Sequence, residues 1–179
     1  MARLFVGIAL PDPIVQHLSL LVGGVPGARW QRPDQLHLTL RFIGDVDGGV
    51  AVDVGEALAT VRSAGFDLQL DGVGHFGERR RVRALWVGVA PNPALVALQA
   101  KIERALVDAG LPPEGRKFKP HVTVARMGQS THGRVAQFLS DHALFGTAPW
   151  QVTAFHLYSS QLSANGSLYR IEDSYDLAV

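Results

Sequence analysis

Histidine titrates near neutral pH and threonine carries a compact hydroxyl, so a His-x-Thr triplet on a strand sets a proton-transfer group beside a hydrogen-bond donor on one face. The sequence holds two such triplets, His37-Leu38-Thr39 and His121-Val122-Thr123. Seven histidines and six threonines scattered over 179 residues give about 0.2 triplets by chance. Leu36, Leu38 and Leu40 fill the alternate positions of the first, and Val122 and Val124 those of the second. That pattern buries one face of each strand and leaves the other free to line a cleft. Two opposed imidazoles supply a base and an acid for one substrate, and two threonine hydroxyls supply neutral donors for phosphate oxygens. A phosphodiester needs this set: a base for the attacking oxygen, an acid for the leaving alkoxide, and stabilisation of the developing charge. No metal is required if ring strain activates the leaving group. The competing readings are two ordinary hydrogen-bonded strand histidines, a metal site, or acyl transfer. The chain has no cysteine, His121 has no carboxylate within four residues, and no G-x-S-x-G occurs.

The elements that position these triplets are themselves repeated. Leu4-Phe5-Val6-Gly7-Ile8-Ala9 recurs as Leu85-Trp86-Val87-Gly88-Val89-Ala90, each reading as a short buried strand. Asp12-Pro13 and Asn92-Pro93 then open helices, with an N-cap residue followed by proline at the first helical position. The second helix shows an apolar face of Leu95, Leu98, Ile102, Ala105 and Leu106 and ends near Gly110; the first is shorter and ends near Gly23-Gly24. After the His-x-Thr strands come helix candidates over 50–63 and 132–142, and then strands at 66–70 and 150–154. The chain therefore reads as two β-α-β-α-β units, roughly 1–80 and 81–179, related by a pseudo-twofold axis within a single domain. Strand-helix alternation allows a parallel sheet, whereas duplicated short lobes suit an α+β fold with mainly antiparallel sheets.

Composition sets the outer bounds. Hydrophobic residues make up 47% and charged residues 18%, enough for a real core. With no cysteine, disulfide frameworks and cysteine nucleophiles are excluded. The opening apolar stretch stops at Pro11-Asp12, and no run approaches the length of a membrane span, so a cytoplasmic protein is expected. Lys and Arg total 17 against 16 Asp and Glu, but the basic residues cluster at 29–41, 79–83 and 116–126. These clusters are either solvated loops or the footprint of an anionic partner.

With Arg3-Leu4-Phe5-Val6, Arg29-Trp30, His37-Leu38-Thr39-Leu40-Arg41-Phe42 and Pro120-His121-Val122-Thr123-Val124-Ala125-Arg126 in view, the chain resembles the two-histidine (2H) phosphoesterases. The likeness is to RNA 2',3'-cyclic phosphodiesterases, also called 2'-5' RNA ligases, and Leu157-Tyr158-Ser159-Ser160-Gln161-Leu162 is similar to their closing strand. The resemblance implies a bilobal fold with both motifs facing a central groove. It also implies hydrolysis of a 2',3'-cyclic RNA end to a 2'-phosphate without metal or other cofactor, and a weak reverse 2'-5' ligation. His37 takes the general acid role and His121 the general base role, with Thr39 and Thr123 on the phosphate oxygens and Arg126 as a phosphate contact. By strict alternation Arg126 points away from His121, so it contributes only if the strand bulges. Arg41 shares His37's parity about 13 Å along, which suits an RNA backbone contact. Phe76, Trp30 and Arg79-Arg80-Arg81 are looser candidates for base or phosphate contacts. Such a chain would act as a monomer on RNA. Two rivals stand beside it: a phosphodiesterase for another small cyclic nucleotide, and an RNA-binding module without turnover.

Overall fold

The computed structural model describes residues 1–78, 80–128 and 132–179. The elements run β1 (Ala2–Ala9), α1 (Asp12–Leu18), β2 (Ala28–Trp30), β3 (His37–Val46), α2 (Gly48–Ala59), β4 (Phe66–Leu68) and β5 (Leu70–Glu78). They continue with β6 (Arg81–Val89), α3 (Pro93–Asp108), β7 (His121–Met127), α4 (His132–Asp141), β8 (Trp150–Val152), β9 (Ala154–Ser163) and β10 (Gly166–Asp176). The fold is α+β. Eight strands form one sheet in the order β10-β9-β1-β3-β7-β6-β5, with β2 also on β7, while β4 and β8 pair separately. Every ladder between these strands is antiparallel.

The two expected sheets are the two halves of the large one, joined by a single pair, Leu38 with Val122. These are equivalent residues of the repeat, as are Asp67 and Gln151, which pair at the middle of the small sheet. A pseudo-twofold axis passes through both points. The halves also exchange strands: β5 leaves the first repeat to pair with β6, and β9 leaves the second to pair with β1. The sequence repeat and the ladders differ by one even step. Gly7 stands opposite Thr39, but Trp86, not Gly88, stands opposite Thr123. A two-residue slip keeps every side chain on its face, so the apolar pattern tolerates it.

Helices cover one face of the sheet. Leu58 of α2 and Leu95, Leu98, Ile102 and Leu106 of α3 are fully buried with Leu38, Leu85, Val87 and Val122 beneath them. The α3 start is as expected, with Asn92 Oδ1 accepting the Leu95 N–H at 3.0 Å. The α1 start is not. Pro11 already holds the extended N-cap conformation (φ −68°, ψ 153°), so Asp12 falls inside the first turn and caps nothing. Helix α2 begins at Gly48, before the expected residue 50, because the Asp47 side chain caps it through the Val50 N–H. Gly7 is required by close approach: a Cβ there would lie 2.8 Å from the Leu38 carbonyl oxygen. No helix among the described residues is long and apolar enough to cross a membrane.

Arg41 is more deeply buried than strict alternation predicts. The β3 register shifts between Thr39 and Arg41, leaving Leu40 unmatched on β1, and this bulge turns Arg41 onto the helix side. There it is 6% exposed, paired with Glu103 of α3 and donating to the Phe42 and Pro112 carbonyls. Glu103 also accepts the Glu114 N–H at 2.8 Å, so one carboxylate ties β3, α3 and the following loop together. Removing it leaves a buried guanidinium without its counter-charge, at a cost of about 3 kcal/mol. Glu103→Ala is expected to lower the thermal midpoint by roughly 6–12 °C, and Glu103→Gln by clearly less; equal, negligible shifts in calorimetry would contradict this account of Arg41.

Candidate active site

The other face of the sheet is concave and carries both His-x-Thr triplets. Antiparallel register about the Leu38–Val122 pair sets His37 on the side of Thr123, and Thr39 on the side of His121. Immediately beyond, β7 carries the counterpart of the β3 bulge: Trp86 pairs with Thr123 and Leu85 with Ala125, leaving Val124 unmatched. Val124 and Ala125 are therefore both buried, and Arg126 rejoins the face of His121 and Thr123. The β7 bulge brings Arg126 into the site, while its counterpart on β3 buries Arg41, which stays in the cavity wall with its guanidinium tied to Glu103. At Arg41's expected place in the groove stands Phe42, 40% exposed.

Each imidazole is oriented from behind by the backbone. His37 Nδ1–H donates to the Gln35 carbonyl at 2.8 Å, and His121 Nδ1–H donates to the Lys119 carbonyl at 2.6 Å. A carbonyl only accepts, so both rings hold their proton on Nδ1 and present Nε2 for chemistry. His37 Nε2 lies 3.1 Å from Thr39 Oγ1. Aromatic rings set the tilt. Around His37 stand Phe5 (4.7 Å between centroids), Tyr169 (4.9 Å) and Tyr158 (5.9 Å). Around His121 stand Phe76, edge-on at 4.7 Å, and Trp86 at 6.2 Å. Trp86 needs Gly74 opposite it, where a Cβ would fall 2.3 Å from the indole ring.

Burial pushes His37 down to about 4, with the charges of Arg126 and His121 adding to the effect against the Gln35 hydrogen bond. His121 is also lowered, first by burial, with Lys119 and Arg126 adding charge repulsion. Burial alone lifts the Tyr158 hydroxyl to about 12. Two groove segments meet at His37, Thr39, Phe42, Arg126 and Tyr169. One, of about 560 Å³, also holds His121 and Thr123 and runs past Arg83, Arg116, Lys117 and Lys119. The other, of about 460 Å³, runs past Arg3, Ser160, Gln161 and Ser167.

The structure thus brings His37, Thr39, Arg41, His121, Thr123 and Arg126 to one cavity, with Arg41 largely buried in its wall. Phe76 lines it too, but Trp30 packs instead on Phe138 at 5.8 Å. Arg81 pairs with Glu78 in the β5–β6 hairpin, and Arg79 lies outside the described residues. Sequence reasoning missed Gln35, whose side chain accepts the Arg32 N–H and donates to the Ser167 carbonyl, fixing the carbonyl that holds His37. It also missed Lys119, whose ammonium stands 4.8 Å from the Trp86 ring centroid and 5.6 Å from that of Phe76. Phe5 and Trp86 share the aromatic place in the repeated strand, which was the signal for them.

Residues 12–163 match the model of the 2'-5' RNA ligase superfamily. The chain belongs to that superfamily. Within it, the chain is 34% identical to an RNA 2',3'-cyclic phosphodiesterase of Aeropyrum pernix, over 85% of this chain and 87% of that one. It is 29% identical to the Archaeoglobus fulgidus protein of the same name, over 94% and 96% of the two chains. Escherichia coli LigT, solved in complex with 3'-AMP, superposes with a TM-score of 0.81 at 25% identity, over 99% of both chains. Like those relatives, this superfamily member is an enzyme.

The buried histidine leaves a stability signature. His37 ionises near 6.5 when exposed and at about 4 when folded. Between those values the unfolded chain binds the extra proton, so stability is lost as pH falls through this window. Its full size is on the order of 3 kcal/mol. Urea unfolding at pH 7 and pH 4.5 should show His37→Gln losing less stability on acidification than the wild type, and parallel losses would contradict the burial effect.

Proposed function

We propose that this enzyme hydrolyses RNA 2',3'-cyclic phosphate ends to 2'-phosphates, without a metal, by paired histidine acid–base catalysis. The observation that carries this reading is the pair of backbone-locked imidazoles presenting Nε2 to one groove. His121 Nε2 takes a proton from water as the water oxygen bonds to phosphorus. The P–O3' bond breaks, and His37 Nε2–H gives its proton to the departing O3'. Thr39 and Thr123 hydroxyls donate to the non-bridging oxygens, and Arg126 offsets the charge that gathers on them. The same steps, with a 5'-hydroxyl in place of water as the attacking group, form a 2'-5' linkage, and O3' again leaves with the proton from His37.

The acid role of His37 depends on the substrate. In the empty groove burial disfavours its protonation, and the charges of Arg126 and His121 add to the effect. A bound phosphodiester carries a negative charge that opposes both, so binding raises the affinity of His37 for its proton. The arm lined by Arg83, Arg116 and Lys117 supports an RNA rather than a lone cyclic nucleotide, since only a longer strand brings further phosphates. Both halves of one chain build the site, and we assign the enzyme to the cytoplasm as a monomer.

An oligoribonucleotide ending in a 2',3'-cyclic phosphate, incubated with EDTA, should yield a 2'-phosphate end. No conversion would sink the reading; a 3'-phosphate would move the acid to the other side of the ring. His37→Ala and His121→Ala should each lose on the order of 10²–10⁴-fold in rate while remaining folded. The kcat/KM profile should be a bell whose maximum lies between about 4, the free His37 value, and 6.5. The alkaline limb of kcat should lie at higher pH, because substrate holds the proton on His37. A flat profile from pH 5 to 8 would exclude paired histidines.

A further inference from the structure

The two histidines are held alike but sit beside different charges. Each donates its Nδ1–H to the carbonyl of the residue two positions before it, Gln35 in one half and Lys119 in the other. These are equivalent positions of the repeat, and only the side chains differ. Gln35 is neutral, 8% exposed, and bonded to the Arg32 N–H and the Ser167 carbonyl. Lys119 is exposed, and its ammonium folds back over Trp86 and Phe76, 4.8 Å and 5.6 Å from their ring centroids. Those are the two rings that flank His121. Cation–π attraction keeps the charge on this aromatic shelf. No carboxylate pairs with it among the described residues.

A phosphodiester anion between the two imidazoles favours protonation of both. The acid requires that, but the base is disabled by it, because a protonated Nε2 takes no proton from water. Burial works against the proton on both rings, and Arg126 of β7 repels it from both, so neither separates the roles. Lys119 adds its charge at His121, whereas Phe5, Tyr158 and Tyr169 surround His37. The other charged groups of this cavity are engaged or stand along its arm. Arg41 of β3 is paired with Glu103, and Arg116 with Glu114. Arg83 of β6 and Lys117 line the arm.

We propose that Lys119 divides the labour between the histidines: its ammonium, held on the Trp86–Phe76 shelf, keeps His121 unprotonated as the base while the anionic phosphate is bound. Lys119 is a positioning residue, acting on the proton of His121 and not on the substrate. The proposal rests on the cyclic phosphodiesterase reading and names what makes two equivalent histidines unequal.

The test compares Lys119→Gln, which removes the charge, with Lys119→Arg, which keeps it. Both retain the backbone carbonyl that aims the ring. On the oligoribonucleotide with a cyclic phosphate end, kcat of Lys119→Gln should fall roughly 3- to 10-fold below wild type on the acid limb, where His121 gains its proton. On the alkaline side it should equal or exceed wild type, because the base that remains is stronger. Lys119→Arg should restore the acid limb. An unmoved acid limb, an equal loss at every pH, or failure of the arginine variant to restore it would overturn the proposal. A raised KM with an unchanged kcat profile would also overturn it, by making Lys119 a phosphate contact. Histidine NMR titration of the free proteins gives a second readout: in Lys119→Gln the His121 midpoint should rise and that of His37 should change less. A His121 midpoint that stays in place contradicts the electrostatic role whatever the activity. Wild-type protein that leaves the cyclic end intact would instead defeat the phosphodiesterase reading, and this proposal with it.

Discussion

The site depends on two strands that touch at one residue pair. Leu38 and Val122 meet on the pseudo-twofold axis, and no further residue of β3 pairs with β7. That single contact brings the two His-x-Thr faces together, while the absence of a longer ladder lets the halves of the sheet diverge and open a groove above it. A bulge follows each triplet, on β3 after Thr39 and on β7 after Thr123. A bulge bends its strand and increases the local twist, so the same device that re-aims the next side chains also curves the sheet around the substrate. Strand exchange then fixes the opening: β9 closes the half built on β1 and β3, and β5 closes the half built on β6 and β7.

Much of this was legible in the residues. The duplicated triplet marked both histidines and both threonines. The repeated aliphatic strands, Asn92-Pro93 and the α3 stripe marked the elements that carry them. Strict alternation fails at one point in each half, and both departures share a cause. Arg41 has the parity of His37 and Arg126 lacks that of His121 only if the strands are regular. In β7 the adjacent apolar pair Val124-Ala125 breaks the alternation and is a visible sign of the bulge. In β3 the equivalent pair is Leu40-Arg41, where a charged residue hides the sign because its burial needs Glu103, a partner 62 positions away. Strand exchange was invisible for a similar reason: β5 and β9 look alike from either side, and only long-range pairing decides their neighbours. Gln35 and Lys119 escaped notice because their carbonyls orient the histidines, and a carbonyl carries no residue signature.

Duplication supplies two similar half-sites, but acid–base chemistry needs two different ones. The surroundings of the histidines provide the difference. Phe5, Tyr158 and Tyr169 enclose His37, with Phe5 stacked on Tyr158 at 4.8 Å. His121 has the more open setting, beside an exposed Lys119 and the basic arm of the groove. A general base that must meet solvent water fits the open position. A general acid fits the enclosed one, where a proton gained with the substrate is shielded from exchange with bulk water until O3' departs. The low proton affinity of His37 in the empty groove, set first by burial, fits the proposed mechanism, in which an anionic phosphate helps this histidine take up its proton. Arg126 acts on both rings in the empty site, and in the proposed mechanism it also meets the phosphate, so a single guanidinium would link protonation to binding.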